Sequence, residues 1–219
     1  MITFIFFVED TMKQRIHSYL LEQGIDIDEN LVKDAAQVLA ILLQQADISA
    51  INRQNIWQQN EIHLSSMLPE NCEETLCRLF AAVDTVKTHI LADSLSIFIL
   101  KNQEIMRISH AGLPTVVKLP VNDDTANQHL AVRVALSAWF NRIPQTDEWI
   151  TSGELSSQCY PECKQIWALP ICTDTGAVLG VLYGEHAITQ NINDEQFAWT
   201  LGLAIALQET LQLLIDLAT

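Results

Sequence analysis

Apolar residues recur at the helical spacing of three or four positions through most of the first ninety residues of the chain. This spacing predicts helices over residues 13–23 and 28–46, separated by Gly24, with Asp28 as the N-cap of the second. A third helix is predicted over residues 72–91, where the apolar residues form one broad face. The chain should therefore begin with helices that pack side by side.

In the middle of the chain the pattern changes to the two-residue alternation of β-strands. Residues 94–100 and 104–109 predict a first hairpin, and residues 116–119 predict a short additional strand. The run IWALPICTDTGAVLGVLYGEH, which starts at Ile166 and ends at His186, predicts a second hairpin. Neither face of its second strand is polar, so the sheet should be covered on both sides.

Two residues of the second hairpin predict its local geometry. Gly176 can adopt the left-handed conformation that closes the turn, because glycine has no Cβ. Pro170 lacks the backbone N–H that a strand ladder needs, which places it at a sheet edge or at a bulge.

Two further helices are predicted around the second hairpin. The first covers residues 126–140 and is capped by the polar loop that starts at Asn122. The segment around Trp149 is predicted to be irregular. The last helix starts at Asn193 or Asp194, with acidic residues in its first turn, and runs to about residue 217.

The distribution of glycine indicates a domain boundary near the end of the first seventy residues. Five of the seven glycines fall between Gly112 and Gly184, whereas the first seventy residues contain only Gly24. Turn chemistry therefore begins where the predicted N-terminal helices end. We expect a helical extension over residues 1–70, which serves dimerisation or signalling, and a domain over residues 71–219.

This order of elements (helix, two strands, helix, two strands, helix) resembles the GAF family of small-molecule sensor domains. The resemblance is carried by HLAVRVALSAW, by the hairpin sequence above and by NDEQFAWTLGLAIALQETL, and it covers roughly residues 72–217. It implies an α+β fold, an α/β sandwich in which a central antiparallel sheet carries the first and last helices on one face. It also implies a ligand pocket on the other face, under the connecting helix and loops.

The resemblance identifies candidate ligand-binding residues, which would combine shape and polarity around such a pocket. Each has an ordinary structural alternative, since a tryptophan or tyrosine beside a sheet is usually core and an arginine on an amphipathic helix is usually solvated. The sequence identifies neither the ligand nor a cofactor. The candidates are His110, Arg133, Trp139, Trp149, Tyr183 and His186.

Some GAF proteins reduce free methionine sulfoxide with a nucleophilic cysteine, and Cys159 is similarly placed before the proline-containing strand. Cys163 is then the candidate resolving thiol, because such chemistry needs a second thiol nearby. However, the family's upstream partner cysteine is missing, since no cysteine lies between Cys77 and Cys159. The spacing of Cys159 and Cys163 is not that of a zinc site either, so no metal site is predicted.

Other GAF functions lack their motifs in this sequence. No cysteine is followed by histidine, as in bilin attachment, and the Asn-Lys-Phe-Asp-type motif of cyclic-nucleotide GAF domains does not occur. No triad order or Gly-rich phosphate loop is found, so no catalytic residue is predicted. We therefore interpret the chain as a non-catalytic regulatory domain that binds a small molecule or a partner protein. A methionine sulfoxide reductase and a ligand-free dimeric scaffold are the alternatives.

The chain is strongly acidic, with 12 lysine and arginine residues against 27 aspartate and glutamate residues and a formal net charge of -15. No basic cluster interrupts this background, so nucleic acid and membranes are not expected partners. Five cysteines without a repeated spacing favour reduced thiols in the cytoplasm. The apolar start lacks the features of a signal peptide, and one hypothesis is that translation begins at Met12, after residues 1–11.

The last predicted helix carries two apolar stripes, and a single sheet covers only one of them. The second stripe needs either the 28–46 helix of the same chain or a second copy of the chain. We predict a parallel homodimer whose bundle combines N-terminal and C-terminal helices. The second stripe consists of Leu203, Leu207, Leu214 and Leu217, and the matching stripe of the 28–46 helix consists of Leu31, Ala35, Val38 and Leu42.

Overall fold

The structure is a computed structural model that describes residues 2–59, 62–113, 115–156 and 163–218. The helices are α1 (Ile2–Gln23), α2 (Glu29–Gln45), α3 (Arg53–Trp57), α4 (Glu73–Ile90), α5 (Asp123–Ala126), α6 (Leu130–Ser137), α7 (Thr146–Ser152), α8 (Asp194–Ala206) and α9 (Gln208–Leu217). The strands are β1 (Gln58–Gln59), β2 (Ile62–His63), β3 (Ser94–Lys101), β4 (Glu104–Gly112), β5 (Lys118–Pro120), β6 (Asn141–Ile143), β7 (Gln165–Cys172) and β8 (Val178–His186).

The strands from β3 onward form one antiparallel sheet in the order β5-β4-β3-β8-β7-β6, and β1 pairs with β2 apart from it. The central pair is β3 and β8, the inner strands of the two hairpins, with Ser96 opposite Tyr183. Helices lie against both faces of this sheet. The α+β fold with a central antiparallel sheet is therefore confirmed.

The larger hydrophobic core lies on the first face of the sheet, which we define as the face covered by α4 and α8. Leu182 of β8 packs there together with Leu79 of α4 and Leu201 of α8. Ile16 and Val32, from the N-terminal helices, belong to the same core. Residues on both sides of the expected boundary thus share one core, and the division into an extension and a domain stays a prediction.

The contact between α2 and α8 is unusually close. A Cβ atom built on Gly202 would lie 2.9 Å from Ala35 Cβ and 2.8 Å from the Ala36 nitrogen. Glycine at this position therefore lets the two helix backbones approach each other.

Most of the second stripe of the C-terminal helix is buried within the chain. Leu203, Leu207 and Leu214 are fully buried. On α2 the buried residues are Val32, Ala35, Ala36 and Leu39, whereas Leu31 and Val38 of the expected stripe are 37% and 44% exposed. The inward face of α2 is thus rotated from the one that the sequence pattern indicated.

The stretch Asp194–Leu217, which spans α8 and α9, is the one part of the described chain long and apolar enough to cross a membrane. Of its most apolar window, 61% is buried inside the fold. This is how the core helix of a soluble domain behaves, because its apolar side chains are already covered by protein.

The second face of the sheet, opposite α4 and α8, carries a smaller core. Phe98 of β3 and Val181 of β8 pack there against Leu130 and Val134 of α6. Strand β7 is buried along its whole length, because helices cover it on both sides. The expectation of a sheet covered on both faces is confirmed.

Local signals in the sequence predicted several boundaries correctly. Asp28 caps α2 by accepting a hydrogen bond from the Asn30 nitrogen at 2.9 Å. Asn193 and Gln196 form a capping box at the start of α8. Gly176 takes a φ of 82°, which only glycine adopts without strain.

Pro170 lies where the sequence placed it, at an open edge of the ladder. Strand β6 pairs with β7 only over residues 166–168, so β7 has no second neighbour at Pro170. The register also shifts just beyond it, between Ile171 and Cys172.

The expectation of one helix over residues 126–140 was wrong. The Asn122 side chain caps only the single turn of α5, and His129 is extended with φ −128° and ψ 120°. Ala138 then ends α6 in the left-handed conformation, with φ 58°. The residues after it form β6, because pairing with β7 outweighs the helical propensity of this stretch. The segment around Trp149, expected to be irregular, forms α7.

Candidate ligand-binding site

A row of polar side chains crosses the second face of the sheet. In the strand register, Ser96 of β3 lies between His110 of β4 and Tyr183 of β8. Directly paired residues project from the same face, and two strand spacings of about 4.8 Å place His110 and Tyr183 about 10 Å apart. The structure thus brings together two of the sequence-predicted residues.

Tyr183 connects this row to a partly buried carboxylate. It is 3% exposed, and its ring meets Phe98 edge-on with the centroids 6.3 Å apart. Its hydroxyl donates to Glu185 Oε1 at 2.7 Å. Burial raises the pKa of Glu185 to about 6, although this hydrogen bond acts in the opposite direction. The second face therefore holds polar groups that are removed from water.

His110 occupies the other end of the row. Burial, followed by the nearby positive charge of Arg107, lowers the pKa of His110 to about 4, so its imidazole is neutral at neutral pH. His110 also lines a cleft of about 590 Å³ beside β4, together with Phe80 and Asp84 of α4. Because α4 covers the first face, this cleft lies at the β4 edge of the sheet and not within the second face.

Sequence reasoning missed Arg107, although it stands beside this row. Arg107 lies opposite Phe98 in the register and is fully buried. The Thr115 hydroxyl joins the two positions, since it lies 2.9 Å from Ser96 Oγ and accepts from Arg107 Nη1 at 3.2 Å. The signal in the sequence was an arginine within a strand of a sheet expected to be covered on both sides, where a charged side chain is rare.

Arg133 and Trp149 lie together, but their side chains contact each other. The guanidinium carbon of Arg133 lies 5.4 Å from the centre of the Trp149 ring. Its Nε donates to the Ala126 carbonyl at 3.2 Å and its Nη2 to the Glu154 carbonyl at 3.0 Å. Arg133 thus ties the ends of α5, α6 and α7 together, which makes it a scaffold residue of this layer.

Trp139 and His186 do not join the polar row. Trp139 is 60% exposed in the segment after α6. His186 follows Glu185 in β8 and so projects from the opposite face, where it is buried and hydrogen-bonded to Gln190. Burial lowers the pKa of His186. These two residues are therefore placed elsewhere than the resemblance suggested.

The structure describes only one of the two cysteine candidates. Cys159 lies outside the described residues. Cys163 is buried and its Sγ donates to the Gln165 carbonyl at 3.1 Å. Burial, followed by the negative charge of Glu185, raises the pKa of the Cys163 thiol to about 12. A thiol in this environment is a poor source of thiolate. Among the described residues, no group of three His, Cys, Asp or Glu side chains is placed to hold a metal ion.

No family model matches this sequence, and no curated protein matches it either. Solved structures do match. The GAF domain of the Acinetobacter phosphoenolpyruvate-protein phosphotransferase has a TM-score of 0.55 and 14% identity, with 82% of this chain and 92% of that chain covered.

Two enzymes are similar to the same degree. The type II free methionine-R-sulfoxide reductase of Thermoplasma acidophilum has a TM-score of 0.54 and 13% identity, covering 63% of this chain and 92% of that one. The free methionine-R-sulfoxide reductase of Neisseria meningitidis, solved with its substrate, has a TM-score of 0.54 and 11% identity, covering 83% and 88%.

At these identities the likeness concerns the fold alone. The same fold carries sensor domains and reductases, so it does not decide between the two functions. The agreement extends over most of the chain, and it matches the architecture that the sequence pattern indicated. The chain therefore has a GAF-like fold.

Proposed function

We propose that the protein is a non-catalytic, cytoplasmic regulatory domain that binds a small molecule on the second face of its sheet. The observation that carries the proposal is the row of His110, Ser96 and Tyr183, in which Ser96 and Tyr183 are buried beside apolar side chains of the smaller core. A few placed polar groups on a mainly apolar surface are typical of small-molecule sites.

The experiment is a thermal-shift screen of nucleotides, amino acids and tetrapyrroles. A ligand that binds only the folded state stabilises it, and ten times its dissociation constant should raise the Tm by about 3 to 6 °C for a chain of this size. Ser96→Ala and Tyr183→Phe should reduce that response, whereas Trp139→Ala, at an exposed position, should not.

Two outcomes would count against the proposal. If no compound raises the Tm, a ligand-free scaffold explains the fold better. If a compound acts equally on wild type, Ser96→Ala and Tyr183→Phe, then the ligand binds away from the polar row.

The signal is proposed to pass through a parallel homodimer. Support comes from exposed apolar side chains on the outer side of α2, since Leu31, Val38 and Ile41 are 37%, 44% and 57% exposed. Leu31 and Val38 are separated by the seven-residue repeat of parallel helix pairs. Light scattering should report twice the 24.6 kDa chain mass. Val38→Glu should yield a folded monomer, and a wild-type monomer at high concentration would contradict the dimer.

The second candidate is reduction of free methionine sulfoxide through Cys159. It is favoured by the position of Cys159 before β7 and by the fold shared with two such reductases. The raised pKa of Cys163 weighs against that residue as resolving thiol. Purified wild type should then turn over free methionine sulfoxide with a thiol reductant, and Cys159→Ser should not. The absence of turnover in the wild type would exclude the reductase.

A further inference from the structure

Arg107 is a buried charge without a described counter-charge. The residue has no solvent exposure. Its Nη1 donates to the Thr115 carbonyl at 2.5 Å and to the Thr115 hydroxyl at 3.2 Å. Its Nε and Nη2 are buried and have no hydrogen-bond partner among the described residues. Among the described residues, no carboxylate lies within 4.0 Å of this guanidinium.

The two unpartnered nitrogens occupy one edge of the guanidinium plane. In arginine, the Nε–H and one Nη2–H point in the same direction along that edge, so they form a pair of parallel donors. Two parallel donors match the two oxygens of a carboxylate or of a phosphate, which arginine binds in a bidentate manner. The donors left open by the fold are thus those suited to an oxyanion.

The surroundings of Arg107 fit an anion better than a cation. Burial removes the guanidinium from water, and an unpaired buried charge is costly unless something compensates it. His110 adds no second positive charge at neutral pH, since its pKa is lowered to about 4 by burial and by Arg107 itself. The Thr115 hydroxyl, which contacts Nη1, and the Ser96 hydroxyl 2.9 Å from it can accept or donate beside the guanidinium.

We propose that Arg107 binds the carboxylate or phosphate group of the small molecule that the domain senses. This inference rests on the proposed function, because it names the chemistry of the ligand for the same face of the sheet. Arg107 is the anchor for the anionic end, and the row of Ser96, His110 and Tyr183 contacts the remainder. The competing explanation is a buried water molecule that satisfies the two N–H groups without any ligand.

The variants are chosen to separate binding from folding. Arg107→Met keeps the length of the side chain and removes the charge, so without ligand its Tm should equal or exceed that of the wild type. Arg107→Lys keeps the charge but lacks the parallel donors. The matched control is Arg142→Met. With the Gln165 amide turned so that its oxygen faces Arg142, that oxygen accepts from Arg142 Nη2 at 2.6 Å and from Nε at 3.1 Å. The same edge is therefore satisfied in Arg142.

The test is a thermal-shift titration at constant ionic strength with succinate, glutarate and inorganic phosphate. Succinamide and glutaramide serve as neutral counterparts of the two carboxylates. At least one anion should raise the wild-type Tm by about 3 to 6 °C at ten times its dissociation constant, and its neutral counterpart should not. Arg107→Met should lose the response, Arg107→Lys should need at least about tenfold more anion, and Arg142→Met should respond like wild type. Comparing the responses to the two carboxylates and to phosphate shows which type of anion binds.

Three results would overturn the inference. An anion that stabilises Arg107→Met as much as wild type binds elsewhere. A lowered Tm of ligand-free Arg107→Met, together with no anion response in the wild type, assigns Arg107 a purely structural role. If no anion raises the Tm of the wild type, the inference is excluded, whatever the Tm of the variants. In that case the proposed function survives if a neutral compound of the wider screen raises the Tm, and fails if none does.

Discussion

The Tyr183 hydroxyl donates a hydrogen bond to Glu185 Oε1 at 2.7 Å, which couples a buried phenol to a partly buried carboxylate on the second face of the sheet. Burial raises the pKa of Glu185 to about 6, above its ordinary value of 4.5. A raised pKa in the folded state means that protonation of Glu185 favours folding. The contribution is fully present below the unfolded pKa and is lost as the pH rises through about 6.

Replacement of Glu185 by glutamine should therefore stabilise the protein at pH 7. The gain is at most about 2 kcal/mol and should vanish at pH 4, where the wild-type carboxyl is also neutral. Chemical unfolding of both proteins between pH 4 and pH 7 measures this difference. Tyr183→Phe is the control, because losing the hydrogen bond should raise the pKa of Glu185 further. A difference between Glu185→Gln and wild type that is independent of pH would contradict the assignment.

His110 should give a pH dependence of the opposite sign. Its pKa is about 4 in the folded state against an ordinary value of 6.5, so its contribution to stability is lost as the pH falls through 4. Relative to a His110→Gln variant, the wild type should lose up to about 3 kcal/mol of unfolding free energy between pH 8 and the acid limit. Parallel stability curves for the two proteins would mean that folding does not lower the pKa of His110, and would contradict its burial.

Gly202 should tolerate no side chain, because its neighbour is the backbone of α2. Gly202→Val places methyl groups where a Cβ alone would already lie 2.8 Å from the Ala36 nitrogen. We expect a loss of about 3 kcal/mol or more, since the two helices must separate. Gly24→Ala is the matched control, with a φ of 63° and no atom within 4 Å of the added Cβ, and should cost about 1 kcal/mol. Equal losses in the two variants would mean that α2 and α8 are not in close contact.

Cys163 should be unreactive in the folded protein. Its pKa of about 12 leaves almost no thiolate at pH 8, and the side chain is covered. Iodoacetamide labelling followed by peptide mass spectrometry should modify Cys163 only after denaturation. Cys72 and Cys77, which are also buried, provide an internal reference for opening of the fold. Rapid labelling of Cys163 while Cys72 and Cys77 stay protected would contradict this prediction and would favour Cys163 as a resolving thiol.

The sequence predicted those parts of the fold that depend on local chemistry. The turn at Gly176 and the caps at Asp28 and Asn193 each follow from the conformational or hydrogen-bonding properties of a single residue. The end of α6 at Ala138 could not be predicted in this way, because the residues that follow it pair as β6 with a distant strand. The register of α2 on α8 is likewise decided by the fit of Gly202 against Ala35.

The candidate site was predictable only in part. His110 and Tyr183 were named from a resemblance, and the register places both of them opposite Ser96. His186 was named with them, but it projects from the face opposite to Tyr183, since its neighbour Glu185 projects to the second face and alternate residues of a strand point to opposite sides. Arg107 was overlooked, because its burial depends on the layer that α6 and the loops form over the sheet.

The most direct measurement of where the ligand binds is a map of ligand-induced amide shifts. The compound that raises the Tm most in the screen is titrated into ¹⁵N-labelled protein. A ligand on the second face should give the largest shifts at Ser96, His110 and Tyr183, with small shifts along α2 and α8. Shifts confined to α2 and α8, or to the surface of α9, would contradict a ligand site on the second face of the sheet.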